Sequence, residues 1–290
     1  MSGDFDIAIT MVLPGIQQLT RTHFESTHSL RAMRDSRQHG HSQALICNHW
    51  AMTNLVNLDR ALHQNLRVNE EVAFSACKDI TMCAVTPTEI PRLILEYPVV
   101  FTRHGESGQY LCVALFGVDP QKNLFWREDR WRSFVLPLNI GRQPFFVGLG
   151  DKGETGEDNQ SLVTCIDLDN PGVQDKEGEP LFDDASRETS YLQHKMKMLA
   201  ELIDGEPRAR IFTERMAALE LIRPIQLELK VPDGATRQIG GLHSIDEVKM
   251  RTLDAEVLTE LNGKGYLHVM HAMLLSLGQL PILARRATGA

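Results

Sequence analysis

Tyr97-Pro98-Val99-Val100-Phe101, followed beyond His104-Gly105-Glu106-Ser107-Gly108 by Tyr110-Leu111-Cys112-Val113-Ala114-Leu115-Phe116-Gly117-Val118, is the stretch that decides the fold class. Both runs are rich in branched and aromatic side chains that suit a pleated surface. The polar link between them, with two glycines, is too short for a helical crossover, so the strands are read as antiparallel neighbours. Similar runs recur at Asn123 to Trp126, Ser133 to Leu138, Pro144 to Val147 and Leu162 to Leu168, with Asp119-Pro120-Gln121-Lys122 among the turn material between them. Residues 52–170 are therefore expected to form a largely antiparallel β-rich N-terminal half.

Working outward, the texture turns polar and acidic at residues 151–188, where twelve acids stand against Lys152, Lys176 and Arg187. That connection carries −9 of a chain whose formal charge is −8, from 30 Lys+Arg and 38 Asp+Glu. Residues 189–288 are expected to be helical around one β-hairpin. Leu192, Met196, Leu199, Leu202 and Ile203 share a helical face, and Pro207 is expected to open a second helix bearing Ile211, Phe212, Met216 and Leu219. Ile225, Leu227, Leu229 and Val231 alternate as a strand does, and Pro232-Asp233-Gly234 turns it into a partner from Thr236 to Leu242. Ser244-Ile245-Asp246-Glu247 has the form of a capping box, and Asp254 is a cap for the next helix, which Gly263 and Gly265 punctuate. The fold class that results is α+β.

Composition excludes several functions. The 290 residues are 42% hydrophobic and 23% charged, as in an ordinary globular protein. Their acidic balance argues against nucleic acid, whose phosphates need a cationic face. The five cysteines, Cys47, Cys77, Cys83, Cys112 and Cys165, contain no C-x-x-C pair and suggest neither a disulfide framework nor a thiolate metal site. A reducing, cytoplasmic setting fits. Asp4 and Asp6 stand where a secretory signal would carry Lys or Arg. Gly265 to Ala284 lacks charge over about the length of a bilayer, but His268, His271, Ser276, Gln279 and Pro281 interrupt it, and Leu267, Met270, Leu274 and Leu277 recur at helical spacing. It is read as a core helix and no membrane span is expected. Residues 1–51 hold five of the eleven histidines at irregular spacing, with balanced charges, and are read as a loosely ordered extension. Nothing in the pattern fixes an oligomeric state.

From Met52 onward the chain resembles the bacterial SapC family of soluble proteins. The resemblance is carried by Leu55-Val56-Asn57-Leu58-Asp59, His63-Gln64-Asn65-Leu66-Arg67-Val68, Glu96-Tyr97-Pro98-Val99-Val100-Phe101, Val113-Ala114-Leu115-Phe116-Gly117 and Asn123-Leu124-Phe125. It continues in Gly141-Arg142-Gln143-Pro144-Phe145, Cys165-Ile166-Asp167-Leu168-Asp169, Glu177-Gly178-Glu179-Pro180-Leu181-Phe182-Asp183, Ser244-Ile245-Asp246-Glu247 and Leu275-Ser276-Leu277-Gly278-Gln279-Leu280. Order and spacing, more than any single piece, make it specific. What the resemblance implies is association with flavin-dependent tryptophan halogenases, cupin-like proteins and TonB-dependent receptors, in uptake or modification of imported compounds. It implies no established enzymatic mechanism. The peptide-transporter permease of the same name is excluded, because a permease needs several spans. Family members begin near Met52, which makes Met52 the expected native start.

Three constellations carry candidate chemistry. In Gly141-Arg142-Gln143-Pro144-Phe145, the residues Arg142, Gln143 and Phe145 are candidate ligand or partner contacts: Arg142 offers a planar fork for a carboxylate, and Pro144 with Phe145 an apolar wall. The competing reading pairs Arg142 with the acidic segment downstream. Trp126 and Trp131, with Phe125 and Phe134, could line a face for an aromatic ligand or a protein, or be ordinary packing. Asp167 and Asp169, two apart on a strand, would point to one side and could hold Mg²⁺ or Mn²⁺, or be a solvated strand end. His268 and His271 lack an evident third ligand and read as partly buried helix residues. No G-x-S-x-G elbow, Gly-rich phosphate loop, H-E-x-x-H or dinucleotide fingerprint occurs. The expected function is a non-enzymatic accessory or binding protein without a cofactor, acting on a partner protein or small ligand. The alternatives are a divalent-metal enzyme using Asp167 and Asp169, and a surface-layer-associated protein, which would need an export route.

Overall fold

The structure is a computed structural model. It describes residues 54–288 apart from 106, 120–121, 150–161 and 231–235. Met52, the histidine-rich tract, Cys47, part of the acidic connection and the Pro232-Asp233-Gly234 turn lie outside the described residues. The others form two units, one of residues 77–141 and 200–288, the other of 54–76 and 142–199.

The first unit is built on a five-stranded antiparallel sheet. Its order is Ile222–Lys230, Thr236–Ile245, Val99–Arg103, Tyr110–Leu115, Met82–Ala84. The two deciding strands pair as neighbours, Val99 opposite Ala114 and Phe101 opposite Cys112. Val99, Val100, Phe101 and Thr102 are all buried, as in a strand covered on both faces. The C-terminal hairpin adds to its free edge, with His243 opposite Phe101. The helix Tyr266–Ser276 buries Val269, Met270, Ala272, Met273 and Ser276. Ser276 Oγ accepts the Val99 N–H at 2.9 Å, tying that helix to the sheet. Residues 266–287 are nonetheless long and apolar enough, by length and composition, to cross a membrane. His268 and His271 are exposed, not partly buried.

Four local expectations are corrected. Pro207 does not open a helix; it lies inside a continuous one, Ser190–Ala218. Proline costs about 3 kcal/mol in a helix interior, whereas Leu199, Leu202, Phe212 and Met216 are each fully buried on either side of it, worth about 1.5–3 kcal/mol apiece. Packing wins. Ser133 to Leu138 is not a strand, because a side chain takes the place of a pairing strand: the Glu96 carboxylate accepts the N–H groups of Phe134 (2.8 Å) and Val135 (3.0 Å). Asn123 to Trp126 shortens to a ribbon of Trp126–Arg127 and Arg130–Trp131, turned by Glu128 and Asp129 at φ 50° and 55°. The helix after Ile245 is capped by Asp246, whose carboxylate accepts the Lys249 N–H at 3.0 Å, because Ser244 still belongs to the paired strand.

The second unit holds a three-stranded antiparallel sheet in the order Leu55–Asn57, Leu162–Asp167, Phe145–Leu149, packed around Leu55, Phe146 and Cys165. A smaller sheet sets Arg67–Val68 between Val173–Gln174 and Glu179–Pro180. Cys77, Cys83, Cys112 and Cys165 are buried.

Candidate functional site

Arg142, Gln143 and Phe145 come together in the second unit, where all three are interior. The Arg142 side chain is fully buried; its Nη1–H donates to the Phe145 carbonyl at 2.7 Å and its guanidinium lies 4.2 Å from the Phe146 ring centroid. The charge thus closes the Gly141–Phe145 turn on itself. Gln143 is buried, and its Nε2 has no hydrogen-bond partner among the described residues. Phe145 meets Tyr191 edge-on at 6.3 Å, and the Tyr191 ring in turn lies 5.2 Å from the ammonium of Lys195. Lys195 is wholly buried and paired with Glu70; burial pulls its pKa below the ordinary lysine value, against the pull of that carboxylate. Burial also pushes the Tyr191 phenol up.

Asp167 ends its strand, so Asp169 falls in the turn that follows. The Asp169 N–H donates to Asp167 Oδ1 at 3.2 Å, and Asn54 Nδ2 donates to Asp169 Oδ1 at 3.3 Å. Asp167 is buried, which raises its pKa, with the Asp169 charge adding to the effect. Among the described residues, no group of three or more His, Cys, Asp or Glu is placed to hold a metal ion.

Trp126 and Trp131 belong to the first unit and pair across the ribbon. Trp131 Nε1–H donates to the Tyr97 hydroxyl (3.1 Å), which donates to Ser133 Oγ (2.6 Å), which donates to Glu96. Such a chain polarises its members in one direction. The Trp131 ring is packed edge-on against Phe116 at 5.0 Å. Phe134, beside this chain, is fully exposed.

An open volume lies elsewhere in the first unit. A cleft of about 240 Å³ is lined by Thr88, Glu89, Arg92, Leu138, Glu201, Asp204, Gly205 and Arg208. One wall is the long helix, on which Glu201, Asp204 and Arg208 fall at i, i+3 and i+7 and so share a face. The other wall is the Thr86–Glu89 loop and the helix Ile90–Leu93. Gly205 brings them together: a Cβ there would sit 2.6 Å from Thr86 Cγ2. Glu89 is buried in the loop. Its Oε1 accepts the Thr86 N–H (2.8 Å) and hydroxyl (3.3 Å), and its Oε2 accepts the Leu138 N–H (2.8 Å). Burial raises its pKa, while those bonds and the Arg92 charge oppose the rise.

Sequence reasoning missed these residues. The signal was Thr86-Pro87-Thr88-Glu89, a T-x-x-E pattern in which the glutamate reaches back to the threonine N–H, half of a capping box. No ion pair or side-chain hydrogen bond engages Arg92, Glu201, Asp204 or Arg208 among the described residues. Asp204 and Arg208 are four apart on one helix, the spacing at which Arg210 and Glu214 do pair, at 3.5 Å. The lining holds charges of both signs.

The fold defines an α+β protein of antiparallel sheets with a charged cleft. The chain belongs to the SapC family, whose model matches residues 58–283. No curated protein and no solved structure matches the chain.

Proposed function

We propose that the protein is a non-enzymatic accessory or binding protein that holds a small polar ligand in the cleft of the first unit. The observation that supports this is an open volume of about 240 Å³ faced by Arg92, Arg208, Glu201 and Asp204, with these charged side chains free of ion pairs among the described residues. Charged groups facing a concave volume supply orientation and specificity for a ligand. A cytoplasmic, reducing location agrees with a cysteine set that contains no C-x-x-C pair. In the setting that the family resemblance implies, beside halogenases and receptors for uptake, such a protein would carry or present an imported compound or a partner's substrate.

The test is native mass spectrometry of the full chain purified from its own host, beside an Asp204→Asn/Arg208→Gln variant. A small molecule retained by the parent and lost from the variant is expected. Turnover of any substrate by the purified parent, abolished by one point mutation, overturns the non-enzymatic reading. A second reading rests on Asp167, a buried carboxyl whose neighbour Asp169 is also acidic, as a divalent-cation site. Titration with Mn²⁺ of the parent and Asp167→Asn decides it: identical, unsaturable responses remove it.

A further inference from the structure

We propose that the cleft selects a small zwitterion, a molecule with a cationic amine at one end and a carboxylate or comparable anion at the other. The inference rests on the cleft being a ligand site and adds the ligand's chemical class. Besides Glu89, whose buried carboxylate is held by Thr86 and Leu138 and feels the Arg92 charge, the lining supplies two guanidinium groups and two exposed carboxylates, and these four form no ion pair with each other. A purely anionic ligand would meet Arg92 and Arg208 but also the repulsion of Glu201 and Asp204; a purely cationic one would meet the converse. Only a molecule carrying both signs satisfies the four groups together, which is selectivity by repulsion as well as attraction. The arginines present planar forks that suit a carboxylate, and the Thr88 hydroxyl, whose hydrogen goes to Thr86 Oγ1 at 3.0 Å, can still accept from the amine.

Size narrows the class. Drug-sized ligands occupy roughly 300–1,000 Å³, so a cleft of about 240 Å³ takes something smaller, of the order of an amino acid or a dipeptide. The buried Glu89 holds Thr86 and Leu138 by three hydrogen bonds, so the loop that carries Thr88 is tied to Leu138, itself part of the lining, before any ligand arrives. A fixed wall lowers the ordering cost of binding.

The experiment is titration calorimetry of the full chain with glycine, γ-aminobutyrate and glycylglycine, set against butyrate and butylamine, each of which keeps one charge. At least one zwitterion is expected to bind, and both singly charged probes to bind about tenfold more weakly or worse, the scale of one lost charge-assisted hydrogen bond. Arg208→Gln is expected to weaken the zwitterion and to strengthen butylamine, whose repulsion it relieves; Asp204→Asn is expected to weaken the zwitterion and to strengthen butyrate. Both residues are exposed, so neither change threatens folding. Butyrate or butylamine binding as tightly as every zwitterion overturns the inference and leaves the cleft a ligand site. Failure of all five probes overturns it too, and if the native protein still retains a molecule that the double variant loses, the reading of the cleft survives alone.

Discussion

Gly205→Ala, compared with Gly263→Ala, tests whether the cleft exists because one helix approaches one loop too closely for a side chain. At Gly205 the added Cβ would meet Thr86 Cγ2 at 2.6 Å and Thr86 Cβ at 2.9 Å. Carbon atoms prefer about 3.5–4.0 Å, so roughly 1 Å of movement is required. Thr86 is poorly able to give it, being 4% exposed with its N–H and hydroxyl both held by Glu89. Overpacking of this kind costs about 1–3 kcal/mol, and alanine returns about 1 kcal/mol of helix propensity. The net expectation is a loss of about 0–2 kcal/mol. At Gly263 nothing lies within 4 Å of the added Cβ, and the residue ends the helix Ala255–Gly263. There the same change gains up to about 1 kcal/mol. The two variants should therefore differ by about 1–3 kcal/mol, or roughly 2–4 °C in Tm for each kcal/mol. Urea unfolding of the full chain, with thermal melts beside it, measures the gap. If Gly205→Ala stabilises as much as Gly263→Ala, the close approach is not real and the wall that carries Glu201, Asp204 and Arg208 does not stand where it is described.

Three further outcomes can be checked on the same purified chain. Ser276→Ala leaves the buried Val99 N–H without its acceptor and should cost about 1–3 kcal/mol in chemical denaturation; an unchanged midpoint would show that the helix is not tied to the sheet there. Burial pushes Glu206 from an ordinary value of 4.5 up to about 7, so the folded state holds its proton more firmly than the unfolded chain does. Its contribution is full below pH 4.5 and is lost as pH rises to about 7. Glu206→Gln should remove that decline from a plot of stability against pH, and parallel curves would refute it. Lys195→Met should be close to neutral, since it removes a buried ammonium and leaves Glu70 46% exposed to water, whereas Glu70→Gln strips a buried cation of its carboxylate and should cost about 3 kcal/mol. Equal losses in denaturant would contradict this asymmetry.

How far the sequence was legible follows from the range over which each feature is encoded. Strand identity at Val99–Arg103 and Tyr110–Leu115 is local, set by side chains that suit a pleat and by a short link, and both strands form as read. The α+β class follows for the same reason. Strand order is not local: nothing in the alternation of Ile225 and Leu227 says that the hairpin will lie beside Phe101. Pro207 misled because proline's cost is local while the burial of Leu202 and Phe212, which outweighs it, is tertiary. Ser133 to Leu138 misled because Glu96 supplies from a distance the acceptors that a neighbouring strand would have given. The site shows the same division. Arg142 stands in a turn whose apolar neighbours could be read as a pocket wall or as core, and only the fold reveals that its guanidinium lies over Phe146. Glu201, Asp204 and Arg208 look in the sequence like any solvated helix face, since charged residues at that spacing usually meet only water. What turns them toward a common volume is Gly205, because a helix without a Cβ at that point can press against Thr86 and set its charged face opposite Arg92 and Glu89. What forms the cleft is therefore a missing side chain, which no motif of charged or nucleophilic residues records.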